Sequence, residues 1–274
     1  MGNSFIFDQP HYDALNAARE TTLRSVLSAL SRNLELHTAV DMGCGVGFFS
    51  SLLTGLGLRV RAVDGRPQNI AEAARRYPEI EYSVADAEDP ALRSIGKFDV
   101  VLCFGLLYHL ENPFAAIRNL FALTSKVAIV EGMCLPGDEP ILEVRDEGPT
   151  EDQGLRHVAL YPSENGLVKL LYRSGFPHVY RFRTLPEHPD YKRSSLTKKT
   201  RTILAASTIP LSTDLLYPAP EPTTSPYTWT VRNSPAALML RGKTMMTRLG
   251  HFMAKPWPEK QRILQNRWTR MFPL

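Results

Sequence analysis

Residues 39–49, AVDMGCGVGFF, carry the types and spacing best suited to chemistry. An apolar run ends in Asp41, and Gly43, Gly45 and Gly47 follow at alternate positions before an amphipathic stretch begins. Glycines let a backbone turn sharply and come close to a ligand, and the first turn of a helix presents unpaired N–H groups to negative charge. A dinucleotide fingerprint needs a glycine at position 48, where Phe48 stands, so the pattern departs from hydride-transfer sites. Two more carboxylates close later apolar runs. Asp64, before Gly65 in VRAVDG, suits the paired hydroxyls of a ribose, and Asp86, before Ala87 in SVADAED, suits an adenine amino group. Phe104 and Gly105, in VVLCFGLLYHL, are placed to close over the same ligand together with Leu106.

The elements that must position these residues follow from periodicity. Apolar residues from Leu15 to Leu30 recur at helical spacing, predicting a helix over 10–33 with a start at Asp8 and Pro10. Strands are predicted over 38–42, 59–64, 80–84, 98–104 and 126–131, with helices over 47–56, 67–77 and 113–123 between them. Strands alternating with helices of this length imply a parallel sheet covered on both faces. Residues 132–161, rich in Gly, Pro and acids, break the rhythm as an insertion or lid. A helix over 162–174, with Ser163 as a cap and Gly175 as its stop, precedes two last strands over 179–185 and 200–207. The expected organisation is an N-terminal helical segment over 1–36, a ligand-binding domain over 37–207, and an extension over 208–274. That extension holds the linker YPAPEPTTSPY and two basic amphipathic helices over 235–252 and 258–271.

Residues 10–207 resemble the class I S-adenosylmethionine-dependent methyltransferases, through DMGCGVG, the acid of AVDG, the acid of DAED, FDVVLCFGLLYHLENP and AIVEG in order. The resemblance implies a seven-stranded Rossmann-like sheet of order 3-2-1-4-5-7-6 with helices on both faces. Its last strand, antiparallel to the rest, would be 200–207. S-adenosyl-L-methionine is then the expected cofactor. Its carboxylate suits the helix start at Gly47, its ammonium Asp41, its ribose Asp64 and its adenine Asp86. HYDALNAARE is similar to the first helix of bacterial members, where Tyr12 and Arg19 lie near the donor's methionine end. Cys44, within the glycine loop, reads as a small packing residue of the cofactor shell.

Methyl transfer from a sulfonium needs donor and acceptor held in line and shielded from water, and an oxygen or nitrogen acceptor gains from a general base. His109, directly after the fourth strand, is the candidate base, with Glu131 at the end of the fifth strand as a second catalytic candidate. Tyr108, His157 and Tyr161 are candidate acceptor contacts. The acceptor expected is a small molecule related to natural products or sugars. Two alternatives stand beside it. GLLYH with ALYPSENGLVKLLYRSGF is similar to enzymes that carboxymethylate a tRNA wobble uridine, and a methyltransferase-like chain could also serve as a non-catalytic partner subunit.

Composition bounds these readings. The chain has 274 residues, 43% hydrophobic and 22% charged, with a net charge of +4. Eight Lys or Arg residues against Glu259 alone fill 241–274, whereas 131–152 holds eight acids against Arg145. The two charge runs offset each other within one chain, so nucleic acid is not the favoured partner. No apolar window reaches membrane-span length, and the N-terminus lacks the pattern of a secretory leader. Cys44, Cys103 and Cys134 share no metal-ligand spacing, so a reducing cytoplasm and no metal are expected; a homodimer is compatible with the sequence.

Overall fold

The computed structural model describes residues 5–147, 154–192, 200–223 and 256–257. The two basic helices expected over 235–252 and 258–271 therefore lie outside the described residues, apart from the junction at 256–257. The first helix, α1 (Pro10–Leu30), opens with its proline at the position where a missing N–H costs nothing. It buries Leu15, Asn16, Arg19, Leu23, Val26, Leu27 and Leu30 along one stripe. Next come β1 (Thr38–Met42), α2 (Phe48–Gly55), β2 (Arg59–Asp64), α3 (Pro67–Arg76), β3 (Glu81–Val84), β4 (Phe98–Phe104), α4 (Pro113–Leu123) and β5 (Thr124–Cys134). After the hairpin β6 (Leu142–Asp146) and β7 (Val158–Pro162), α5 (Glu164–Ser174) leads to β8 (His178–Phe182), β9 (Thr200–Ser207) and β10 (Leu216–Pro218).

Among the described residues, the main sheet has eight strands in the order β10-β8-β9-β5-β4-β1-β2-β3. From β3 to β5 the pairs are parallel, and β9 is antiparallel to both β5 and β8. The expected order is thus present, with β9 as its seventh strand. The strand count differs: an eighth strand, β10, pairs antiparallel with the edge of β8, and the compact unit runs on to Pro222. Part of the expected insertion is also ordered structure, since β6 and β7 form a separate antiparallel pair.

Alternation along the central strands decides which helix each residue meets. Val40, Val101, Cys103, Ala128 and Val130 pack against α4 and α5 on one face, whereas Ala39, Val100, Leu102, Val127 and Ile129 pack against α1 and α2 on the other. Asp41 and Glu131 share the parity of the second group, which carries them beneath α2 and α1. Ser163 caps α5 by accepting from the Gly166 N–H, and Gly175 ends it in the left-handed region at φ 120°. Among the described residues, no helix is long and apolar enough to cross a membrane.

Candidate active site

The glycine loop between β1 and α2 has all three glycines at positive φ, 76°, 54° and 90° for Gly43, Gly45 and Gly47. The N–H groups of Gly43 and Cys44 both donate to the Val63 carbonyl at the end of β2, at 2.8 and 3.0 Å, and this folds the loop over the strand. A Cβ on Gly45 would sit 2.9 Å from the Phe7 ring, so the N-terminal turn is closed down onto the loop. Asp64 locks the arrangement. One oxygen accepts from the Gly45 N–H at 2.9 Å, and the other accepts from Arg66 N–H at 2.8 Å and the Asn69 amide at 3.1 Å. Burial pushes its carboxyl up, against the opposing pull of those N–H groups.

The loop edge opens onto a cleft with two lobes. The larger, about 220 Å³, is lined by Tyr12, Asp13, Asn16, Arg19, Cys44, Phe104, Gly105 and Tyr108, among others. The smaller, about 40 Å³, is lined by Gly65, Asp86, Ala87, Leu110 and Leu155, among others. Gly43, Asp64, Leu106 and His109 line both, so the lobes adjoin at Asp64. Tyr12 and Arg19, expected at the amino-acid end, fall in the larger lobe, Asp86 and Ala87, expected around adenine, in the smaller, and Asp64, the ribose candidate, lines both. Asp13, which sequence reasoning missed, adds a carboxylate to the larger lobe one residue from Tyr12.

Asp41 and Gly45 line neither lobe. Asp41 is buried and accepts from the Ser50 hydroxyl at 2.6 Å; burial pushes its carboxyl up to about 7. It therefore supports α2 under the loop. Burial also pushes the Cys44 thiol up, as befits a packing residue.

Glu131 departs further from its expected catalytic place. It is 0% exposed and lines neither lobe. One carboxylate oxygen accepts from Arg19 Nη2 at 2.7 Å, and the other accepts from Arg201 Nη1 at 3.1 Å and the Tyr191 hydroxyl at 2.7 Å. Burial alone would push the carboxyl up, but the charges of Arg19 and Arg201 and the Tyr191 hydroxyl outweigh it and hold it below the usual carboxylate range. Its role is to anchor Arg19, whose guanidinium lines the larger lobe with Nε buried and unpaired. Arg201, in a strand whose every residue is buried, is the partner that sequence reasoning missed.

His109 follows β4 in a short helical turn, Leu107–His109, and its ring is tilted against Tyr108 at 4.2 Å. Its Nδ1 meets a Glu147 carboxylate oxygen. Tyr108 faces the larger lobe with its hydroxyl accepting from Arg201 at 3.4 Å. Tyr161 packs behind Tyr108 at 5.7 Å, and His157, at φ 55°, gives its carbonyl to the Glu147 N–H; neither residue lines a lobe. Over the smaller lobe, Arg66 donates to the Gly154 carbonyl at 2.5 Å, and Arg156 pairs with Asp86 at 3.0 Å and Glu88 at 3.2 Å.

Residues 40–128, which hold the glycine loop, Asp64, Asp86 and His109, match the family model described as a methyltransferase domain. This segment is a class I, Rossmann-like methyltransferase domain. The domain's curated relatives include a ubiquinone biosynthesis O-methyltransferase of Xanthomonas euvesicatoria, 36% identical over 104 residues, 35% of this chain and 43% of the relative. Its counterpart in Xanthomonas oryzae is 35% identical over 99 residues, 34% of this chain and 41% of the relative. The chain thus matches less than half the length of these relatives. Among solved structures, the N-terminal domain of EvdMO1 with SAH and D-fucose is 20% identical with TM-score 0.58, covering 75% of this chain and 90% of that one. A methyltransferase from Mesorhizobium loti is also 20% identical, with TM-score 0.52, covering 71% of this chain and 99% of that one. Both share the fold.

Proposed function

We propose that the chain binds S-adenosyl-L-methionine across the two lobes and transfers its methyl group to an oxygen of a small-molecule acceptor. The cleft itself carries this reading: a basic and acidic end at Arg19 and Asp13, a carboxylate at Asp64, and a further carboxylate at Asp86 lie in the order that an amino-acid head, a ribose and an adenine require. The donor, when bound, supplies a methyl carbon whose bond to sulfur breaks as its bond to the acceptor forms. Arg19, pinned by Glu131 and Asn16, keeps further guanidinium N–H groups for the donor's carboxylate. Phe104 and Leu106 cover the donor from the β4 side and keep water from the transfer line. His109 takes the proton that the acceptor oxygen loses.

The names of the O-methyltransferase relatives support oxygen over nitrogen and a small acceptor over tRNA. Cys44 and Cys103, buried and in no disulfide, support a reducing, cytoplasmic setting. Incubation with methyl-labelled S-adenosyl-L-methionine and panels of phenols, hydroxylated sugars and bulk tRNA tests the proposal. Label in a phenol or sugar, lost in His109→Ala, is the expected result; label in tRNA alone would overturn the acceptor class.

A further inference from the structure

Glu147 lies in the acidic run that reads from sequence as a solvated loop, yet its side chain is 1% exposed. It follows directly on β6, and its backbone N–H donates to the His157 carbonyl at 3.1 Å, so the hairpin fixes its position. Its two carboxylate oxygens have separate tasks. Oε2 accepts from the Gly154 N–H at 3.0 Å, and Oε1 meets Nδ1 of His109. The carboxylate therefore cannot swing away from the ring without giving up the Gly154 bond. The ring is held from its other side by the short turn, in which the His109 N–H donates to the Leu106 carbonyl at 2.9 Å, and by the face of Tyr108.

We infer that Glu147 is a positioning residue for His109, fixing the neutral ring with its proton on Nδ1 and its lone pair on Nε2. An ionised carboxylate only accepts, so Nδ1 must donate to it, and Nε2 is left as the basic nitrogen. The inference rests on the proposed role of His109 as base. In that role, the acceptor's O–H proton passes to Nε2 while its oxygen takes the methyl carbon and the donor's C–S bond breaks, leaving a thioether. The imidazolium that results is balanced by Glu147. The same carboxylate holds Gly154, and the next residue, Leu155, lies over Gly65 in the smaller lobe, so the base and the cover of that lobe share one anchor.

The test is a long-range proton–nitrogen NMR spectrum of the histidine rings in the nitrogen-15-labelled full chain, with His109 assigned through His109→Gln. The neutral wild-type ring is expected to show the Nδ1–H form. Glu147→Gln, which keeps an acceptor for Gly154, is expected to shift His109 toward Nε2–H, and Glu147→Asp to restore Nδ1–H. An unchanged tautomer in Glu147→Gln, or an Asp variant that behaves as Gln does, would overturn the inference. Calorimetry of the same samples with S-adenosylhomocysteine separates the two levels. Absence of binding by wild type defeats the methyltransferase reading whatever the tautomer, whereas binding with an unresponsive tautomer defeats the role of Glu147 alone.

Discussion

Glu131→Gln leaves Arg19 and Arg201, 5% and 6% exposed, facing a neutral amide in place of a carboxylate. Removing one partner of a buried ion pair costs about 3–5 kcal/mol, because the remaining charge stays buried and uncompensated. For a unit of roughly 200 residues that corresponds to a fall in Tm on the order of 10 °C. The pH dependence has a definite sign. The folded carboxyl is held below its ordinary value of 4.5, so its contribution is present above that value and is lost as pH falls through the depressed folded one. Urea unfolding of both proteins is expected to show the full gap near neutral pH and a narrowing gap in acid. A variant within about 1 kcal/mol of wild type at neutral pH, or a gap that widens on acidification, would refute the anchoring role.

Three other substitutions probe the cleft and the support beneath its glycine loop. Asp64→Asn sets an amide N–H₂ against a backbone N–H, of Gly45 or Arg66, and should cost about 1–3 kcal/mol of stability. It should also weaken S-adenosylhomocysteine binding at least about tenfold by calorimetry, and unchanged affinity would remove Asp64 from the ribose role. Arg156→Ala frees the Asp86 carboxylate; since the pair is half exposed and worth about 0–1 kcal/mol, affinity should tighten by up to roughly fivefold, and weaker binding would contradict the competition. Asp41, raised by burial from 3.8 to about 7, ionises in the unfolded chain before it does in the folded one. Wild type should therefore lose stability relative to Asp41→Asn between these two pH values and no further above them, which denaturant titrations across that range will check.

Much of this architecture was legible because alternation in buried strands is a strong signal. FDVVLCF and VAIV sort their residues onto two helix layers, and the carboxylates fall at strand ends on a sheet edge. β10 was hidden by composition. YPAPEP reads as a linker, but three residues pair through their backbone at an edge, where Pro218 forfeits no ladder bond, and Ala219 beyond them is fully buried. β6 was hidden because LEVRD exposes most of its side chains and so shows no alternation. Arg201 carried a signal in retrospect: an arginine flanking the apolar run Ile203–Ala206 of a buried strand needs a buried counter-charge, and the register places it beside Met133, two residues beyond Glu131. Glu147 carried none, because only the fold-back of the hairpin distinguishes it from its acidic neighbours.

Calorimetric titration of the full-length chain with S-adenosylhomocysteine tests the cleft most directly, since the ligand must span Arg19, Asp64 and Asp86 at once. One site per chain with micromolar or tighter affinity is the predicted result. No heat from a chain shown to be folded, at ligand concentrations into the millimolar range, would contradict the assignment of the two lobes to a single donor.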